Sequence, residues 1–189
     1  TDSIDRSLKR LGTDVLDLVQ LHSCDVATLE RGEAIQALQD AQQAGKTRYI
    51  GYSGDNEAAQ WAVKSGLCDT LQTSFNLFEQ KARDGLLQSA KAQGMGVIIK
   101  RPIANGAWGA ARSPSDYADQ YWERAQLMEK MGPVPGTPGH RVLLALGFTL
   151  SHDEVDTAIV GTRNPAHMQA NLEWMSSGQL PVSSNAVEE

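Results

Sequence analysis

The feature that most limits what this chain can fold into is an alternation of short apolar runs with amphipathic stretches. Residues 15–21 (VLDLVQL) read as a buried strand, and 33–44 follow with Ala34, Ile35, Leu38 and Ala41 at helical spacing. Gly45 supplies the stop. The pattern recurs with a strand over 49–52 and a helix over 56–64, capped by Asn56 and ended by Gly66. A strand over 70–74 leads to a helix over 84–93 closed by Gly94, and 96–100 is a fourth strand. Residues 141–150 form a helix, 157–160 a fifth strand, and Pro165 opens a last helix to Met175.

Strict alternation of strand and helix implies a parallel sheet with right-handed crossovers. Two α/β architectures fit. One is a five-stranded doubly wound sheet; the other is a (β/α)8 TIM barrel lacking its first three strands. Periodicity does not choose between them. In both, chemistry sits at the C-terminal ends of the strands. Those ends carry His22, then Ser53, then Gln72 and Asn76, then Lys100 and Arg101, then Gly161, Thr162 and Arg163. This is a rim of hydrogen-bond donors with positive charge on one side, suited to an anionic, amide-bearing or carbonyl ligand. Gly161-Thr162-Arg163 before the Pro165-led helix combines free backbone N–H groups, a hydroxyl and a guanidinium, a phosphate site on general grounds. The plainer alternative is a solvated helix cap.

Other classes are excluded by what is absent. No GxGxxG follows a strand, and no Walker loop, GxSxG elbow or HExxH helix is present. A net charge of -6 gives no global field for nucleic acid or an anionic membrane. No apolar run is long enough to span a bilayer. Cys24 and Cys68 are too few for a disulfide framework, and His22 with Cys24 lacks the second ligand pair that zinc needs. Reduced thiols in a cytoplasmic protein are expected. The chain opens without Met on a helical pattern, Ile4, Leu8 and Leu11, so further sequence upstream is expected.

Residues 102–139 are too long for an idle connection. They read either as a lid or binding loop or as a surface excursion packed on a helix over 115–130. Trp108, Tyr117, Tyr121 and Trp122 there could wall an apolar pocket or be the packed face of that helix. Residues 1–175 read as one domain and 176–189 as a polar tail.

Five segments in register resemble the aldo-keto reductases. Residues 6–14 (RSLKRLGTD) leading into 17–22 (DLVQLH) resemble that family's fourth strand and the helix before it. Residues 44–53 (AGKTRYIGYS) resemble the fifth strand, Leu71-Gln72 with 75–77 (FNL) the sixth, 96–106 (GVIIKRPIANG) the seventh, and 158–172 (AIVGTRNPAHMQANL) the eighth strand and its helix. The resemblance implies the incomplete barrel and NADPH-dependent reduction of an aldehyde or ketone. It implies His22 as the catalytic histidine that orients the substrate carbonyl. Ser53 and Gln72 would meet the nicotinamide carboxamide. Arg101, Ile103 and Asn105 would lie along the pyrophosphate and ribose, and the Lys100 stem would cover the nicotinamide ring. Gly161, Thr162, Arg163, His167 and Asn171 would hold the adenosine end. NADP(H) is the expected cofactor and NAD(H) the alternative.

The chain departs from the family pattern at three of these places. Gly54 stands where many members carry Asn, Lys100 where many stack an aromatic ring, and His167 where an arginine often grips the 2′-phosphate. The family's catalytic tyrosine, lysine and aspartate fall before this chain begins. Asp116 and Tyr121 mimic the Asp-to-Tyr spacing, a coincidence because geometry defines such a site. The chain alone is therefore expected to be inactive and, with open sheet edges, to self-associate. The competing functional reading is a non-catalytic nucleotide-binding or assembly module.

Overall fold

The computed structural model describes residues 2–132 and 140–176. The sequence-predicted tail from 177 onward, and 133–139 of the long excursion, lie outside the described residues. In chain order the elements are α1 (Asp2–Leu11), β1 (Leu16–His22), α2 (Val26–Glu30), α3 (Glu33–Gln43), β2 (Thr47–Ser53), α4 (Asn56–Ser65) and β3 (Thr70–Ser74). There follow α5 (Leu86–Ala92), β4 (Gly96–Lys100), α6 (Asp119–Lys130), α7 (Arg141–Leu150), β5 (Thr157–Ile159) and α8 (Pro165–Ser176).

The strand order in the sheet is β1-β2-β3-β4-β5. β1 pairs with β2, and β2 with β3, in parallel. Each strand neighbours the next in sequence, so the winding never reverses. A doubly wound sheet needs such a reversal to make its switch point, and that architecture is thereby excluded. Among the described residues no helix is long and apolar enough to cross a membrane.

The described residues fall into two compact units, 2–73 with 82–98, and 74–81 with 99–132 and 140–176. In the first, Ile4 of α1, Leu38 and Ala41 of α3 and Ile50 of β2 form a buried cluster, with Leu8, Leu16, Val19 and Leu21 packed against it. Ile4 with Leu8, Leu38 with Ala41, and Val19 with Leu21 stand at the spacings that bring side chains to one side of a helix or strand. Asp69 ties the strands together at their entry: its carboxylate accepts from the Ile50 N–H at 2.8 Å and the Gln42 amide at 3.1 Å. Gly51 is obligatory in this register, because a Cβ there would lie 2.1 Å from the Thr70 hydroxyl.

Three local readings need correction in this unit. The residue capping α4 is Asp55, extended at φ -133°, and Asn56 is the first helical residue at φ 55°. The Asp55 carboxylate is turned to the Thr73 hydroxyl at 3.0 Å. The helix expected from residue 84 begins at Leu86, because Gly85 at φ 94° interrupts it. The single turn of α2 was not foreseen; Asp25 nucleates it by accepting from the Thr28 N–H at 2.8 Å.

In the second unit Phe75, Phe148 and His152 pack ring against ring, with centroids 4.7 to 5.4 Å apart. The expected helix over 115–130 is a 3-10 turn, Asp116–Ala118, followed by α6. Its aromatics do not share one wall. Tyr117 is 81% exposed, Tyr121 is buried with its hydroxyl on Glu79, and the Trp122 N–H donates to the Ala110 carbonyl at 2.8 Å. Trp108 stands edge-on to Phe78 at 5.7 Å and carries the Arg141 guanidinium 5.8 Å above its ring.

Candidate functional site

In the first unit the parallel register pairs His22 with Ser53, and Ser53 with Gln72. The three residues form one cross-strand row at the C-terminal side of β1, β2 and β3. Backbone bonds pin the row: the Ser23 N–H donates to the Ser53 carbonyl at 2.8 Å, and the Gly54 N–H to the Gln72 carbonyl at 3.0 Å. His22 is exposed and Gln72 half-buried, whereas Ser53 is 3% exposed. The Gln72 side-chain NH2 donates to Ser53 Oγ at 3.1 Å. That bond leaves the serine hydroxyl proton as a donor and the glutamine carbonyl oxygen as an acceptor. A donor beside an acceptor is the complement of a primary amide.

The absence of a side chain at Gly54 has a cause one turn of the pleat away. Tyr52 is 1% exposed and its hydroxyl donates to the Cys24 carbonyl at 2.7 Å. A Cβ at Gly54 would lie 2.4 Å from that hydroxyl and 2.6 Å from the ring. The ring takes the space in which an asparagine stem would start. Burial, with smaller contributions from Cys24, Asp55, Asp25 and Cys68, pushes the Tyr52 phenol up to about 12.

The second unit holds a cavity of about 610 Å³, within the usual range for small-molecule sites. Arg101, Ile103 and Asn105, on the loop leaving β4, line one part of it. Gly161 and Thr162 after β5, and His167 and Asn171 on α8, line another. The loop has an unusual backbone: Arg101, Ala104 and Asn105 have φ of 60°, 48° and 54°. Left-handed non-glycine residues are strained and persist where neighbours hold them. Here Ala104 N–H bonds the Arg101 carbonyl and Gly106 N–H the Ile103 carbonyl, both at 2.9 Å. Asn76, fully buried, donates to the Arg101 carbonyl at 3.0 Å. The Arg101 side chain reaches Tyr121, whose phenol is raised by burial and by its bond to Glu79 and lowered in part by the guanidinium.

The N-terminus of α8 differs from expectation. Its amides are not free: Ala166 N–H bonds the Asn164 side-chain oxygen at 3.0 Å, and His167 N–H bonds the Asn164 carbonyl at 3.1 Å. Asn164 N–H is in turn held by the Thr162 hydroxyl at 3.1 Å. The helix is capped from within, and side chains are left to meet an anion. Lys100, half-buried at the end of β4, and exposed Arg163 are not among the cavity-lining residues. Arg101 is a cation of the lining, and His140 and His167 line the cavity with it. Two aromatic lining residues were missed, His140 and Trp174. Trp174 had a signal, lying seven residues after His167 and three after Asn171 on one helix face. His140 had none.

The model of the Aldo/keto reductase family matches residues 1–186. L-galactose dehydrogenase of Arabidopsis thaliana is 26% identical over 178 residues, which cover 90% of this chain and 56% of that protein. The NADP(+) aldo-keto reductase yakc of Schizosaccharomyces pombe is 25% identical over 195 residues, 90% of this chain and 55% of its own length. The holo form of an aldo-keto reductase from Bacillus halodurans superposes with a TM-score of 0.79 at 21% identity, covering 99% of this chain and 65% of that one. That likeness is one of fold. The chain spans about half the length of the curated relatives it matches.

Proposed function

Because the chain belongs to the aldo/keto reductase family, we propose that the whole protein reduces aldehydes or ketones with NADPH and that this chain supplies strands four to eight of its (β/α)8 barrel. The sequential strand order supports the barrel. The observation that carries the cofactor reading is the convergence of Arg101, Ile103, Asn105, Gly161, Thr162, His167 and Asn171 on one cavity. Each unit by itself fits part of a nicotinamide dinucleotide by chemistry: the first offers a donor–acceptor pair for a carboxamide in Ser53 and Gln72, and the second a cation, a hydroxyl and an amide for phosphate, ribose and base.

When bound, the nicotinamide supplies the hydride. This chain's residues bind and orient. Arg101 and Thr162 take phosphate oxygens, the guanidinium through paired donors. Ile103 and Asn105 follow the ribose, and Asn171 meets the base. His167 carries the selection for a 2′-phosphate, which makes NADP(H) the preferred cofactor over NAD(H). The Lys100 stem covers a ring face that an aromatic residue covers elsewhere in the family. Arg163, outside the cavity lining, has a minor part. His22 donates to the carbonyl oxygen of the substrate and fixes its direction. Proton delivery falls to a tyrosine tuned by a lysine and an aspartate on barrel strands that precede those of this chain. These 189 residues alone therefore bind without turnover. Cys24 and Cys68 are both free thiols, in keeping with a cytoplasmic setting.

Titration of the chain with NADPH, read by tryptophan emission, tests this. Saturable binding is expected, weakened on the order of ten-fold in Arg101→Ala and His167→Ala, the loss typical of one charged contact. Absence of saturable binding in the wild type would sink the reading for this chain.

A further inference from the structure

α8 turns one lengthwise face to the cavity, with His167, Ala170, Asn171 and Trp174 all in its lining. At its far end the Trp174 ring meets that of His140, centroids 4.1 Å apart at 59°. His140 precedes α7 and also lines the cavity. The two other tryptophans of this unit are used elsewhere, Trp108 against Phe78 and Trp122 on the Ala110 carbonyl. The Trp174 face, with the His140 ring inclined against it at 59°, stands here beside the aliphatic lining of Val142, Ile159 and Ala170. Such a wall offers large contact to a flat heteroaromatic ring at little entropic cost. Asn171, 9% exposed and one turn before Trp174, presents donors and an acceptor to the edge of such a ring. The helical rise places Trp174 roughly 10 Å beyond His167 along α8. That spacing is of the order of the reach from a nucleotide's base to its phosphates.

We propose that Trp174 and His140 form the stacking wall for the purine of the bound nucleotide. The inference rests on the nucleotide reading above and adds residues outside the family pattern. The base end is then gripped by aromatic faces, and affinity does not depend on the phosphates alone. Trp174 and His140 are positioning residues and touch no reacting atom.

The test is calorimetric titration of the full chain with ADP and, separately, with inorganic pyrophosphate. Trp174→Ala is expected to weaken ADP on the order of ten-fold, as loss of one base–aromatic stack does, with pyrophosphate unchanged. Trp174→Phe keeps a stacking face and should stay within about three-fold. His140→Ala should lie between the two. ADP should quench tryptophan emission in the wild type, and Trp174→Phe should remove most of that quenching. Full-amplitude quenching in Trp174→Phe, or unchanged ADP affinity in a folded Trp174→Ala, overturns the wall and leaves the nucleotide reading standing. A wild type that binds neither ADP nor NADPH overturns both.

Discussion

Gln72 donates its side-chain amide to Ser53 Oγ at 3.1 Å across the β2–β3 ladder, so each of these residues orients the other before any ligand arrives. Ser53→Ala leaves the Gln72 donor without that acceptor. A loss of about 1 kcal/mol in stability is expected from the broken bond. NADPH affinity should fall several-fold, while ADP, which has no carboxamide, binds as before. Urea unfolding and paired titrations check both halves. Equal losses for the two nucleotides would detach this pair from the nicotinamide.

Gly54→Ala should lower the melting temperature, because its Cβ would press on the Tyr52 ring at 2.6 Å. Overpacking of this kind costs about 1–3 kcal/mol. In the double variant with Tyr52→Ala the two costs should not add, since the second change removes the obstacle. Additive losses in thermal scans would show that something other than the ring excludes a side chain here.

Stability should fall at alkaline pH through Tyr52. An unfolded tyrosine ionises near 10, whereas burial holds the folded phenol up to about 12. Below pH 10 both states keep the proton. Between 10 and 12 the unfolded chain releases a proton that the folded chain retains, so rising pH favours unfolding. The contribution reaches about 1.4 kcal/mol by pH 11. Tyr52→Phe, less stable at neutral pH for want of its bond to the Cys24 carbonyl, should show a flatter decline between pH 9 and 11 in denaturant titrations. Parallel declines would assign the alkaline loss to other groups.

Most of the fold was legible because its punctuation is local. Gly66 ends α4 at φ 64°, and Pro165 opens α8. β3, β4 and α7 fall where their apolar patterns place them. The misreadings arose where a tertiary partner outbid a local preference. Asn56 is a good cap by residue type, but the chain turns at Asp55, whose carboxylate is drawn to Thr73. The helix before Leu86 was overrun because Gly85's left-handed turn has no apolar signature. Of the site, the strand-end residues were readable from order alone. Which of them share a cavity was not, since Lys100 and Arg101, like Thr162 and Arg163, are chain neighbours and only the folded backbone decides which of each pair lines it. His140 was invisible, because only three-dimensional proximity joins it to Trp174.

The internally capped start of α8 has a consequence for how such a protein can change. A phosphate held by main-chain amides is fixed by the fold, and no codon can retune it. Here Asn164 already occupies the Ala166 and His167 amides. Under the cofactor reading proposed above, discrimination between dinucleotides rests on replaceable side chains such as His167. On that reading, preference can drift, or be engineered, by single substitutions that leave the scaffold untouched.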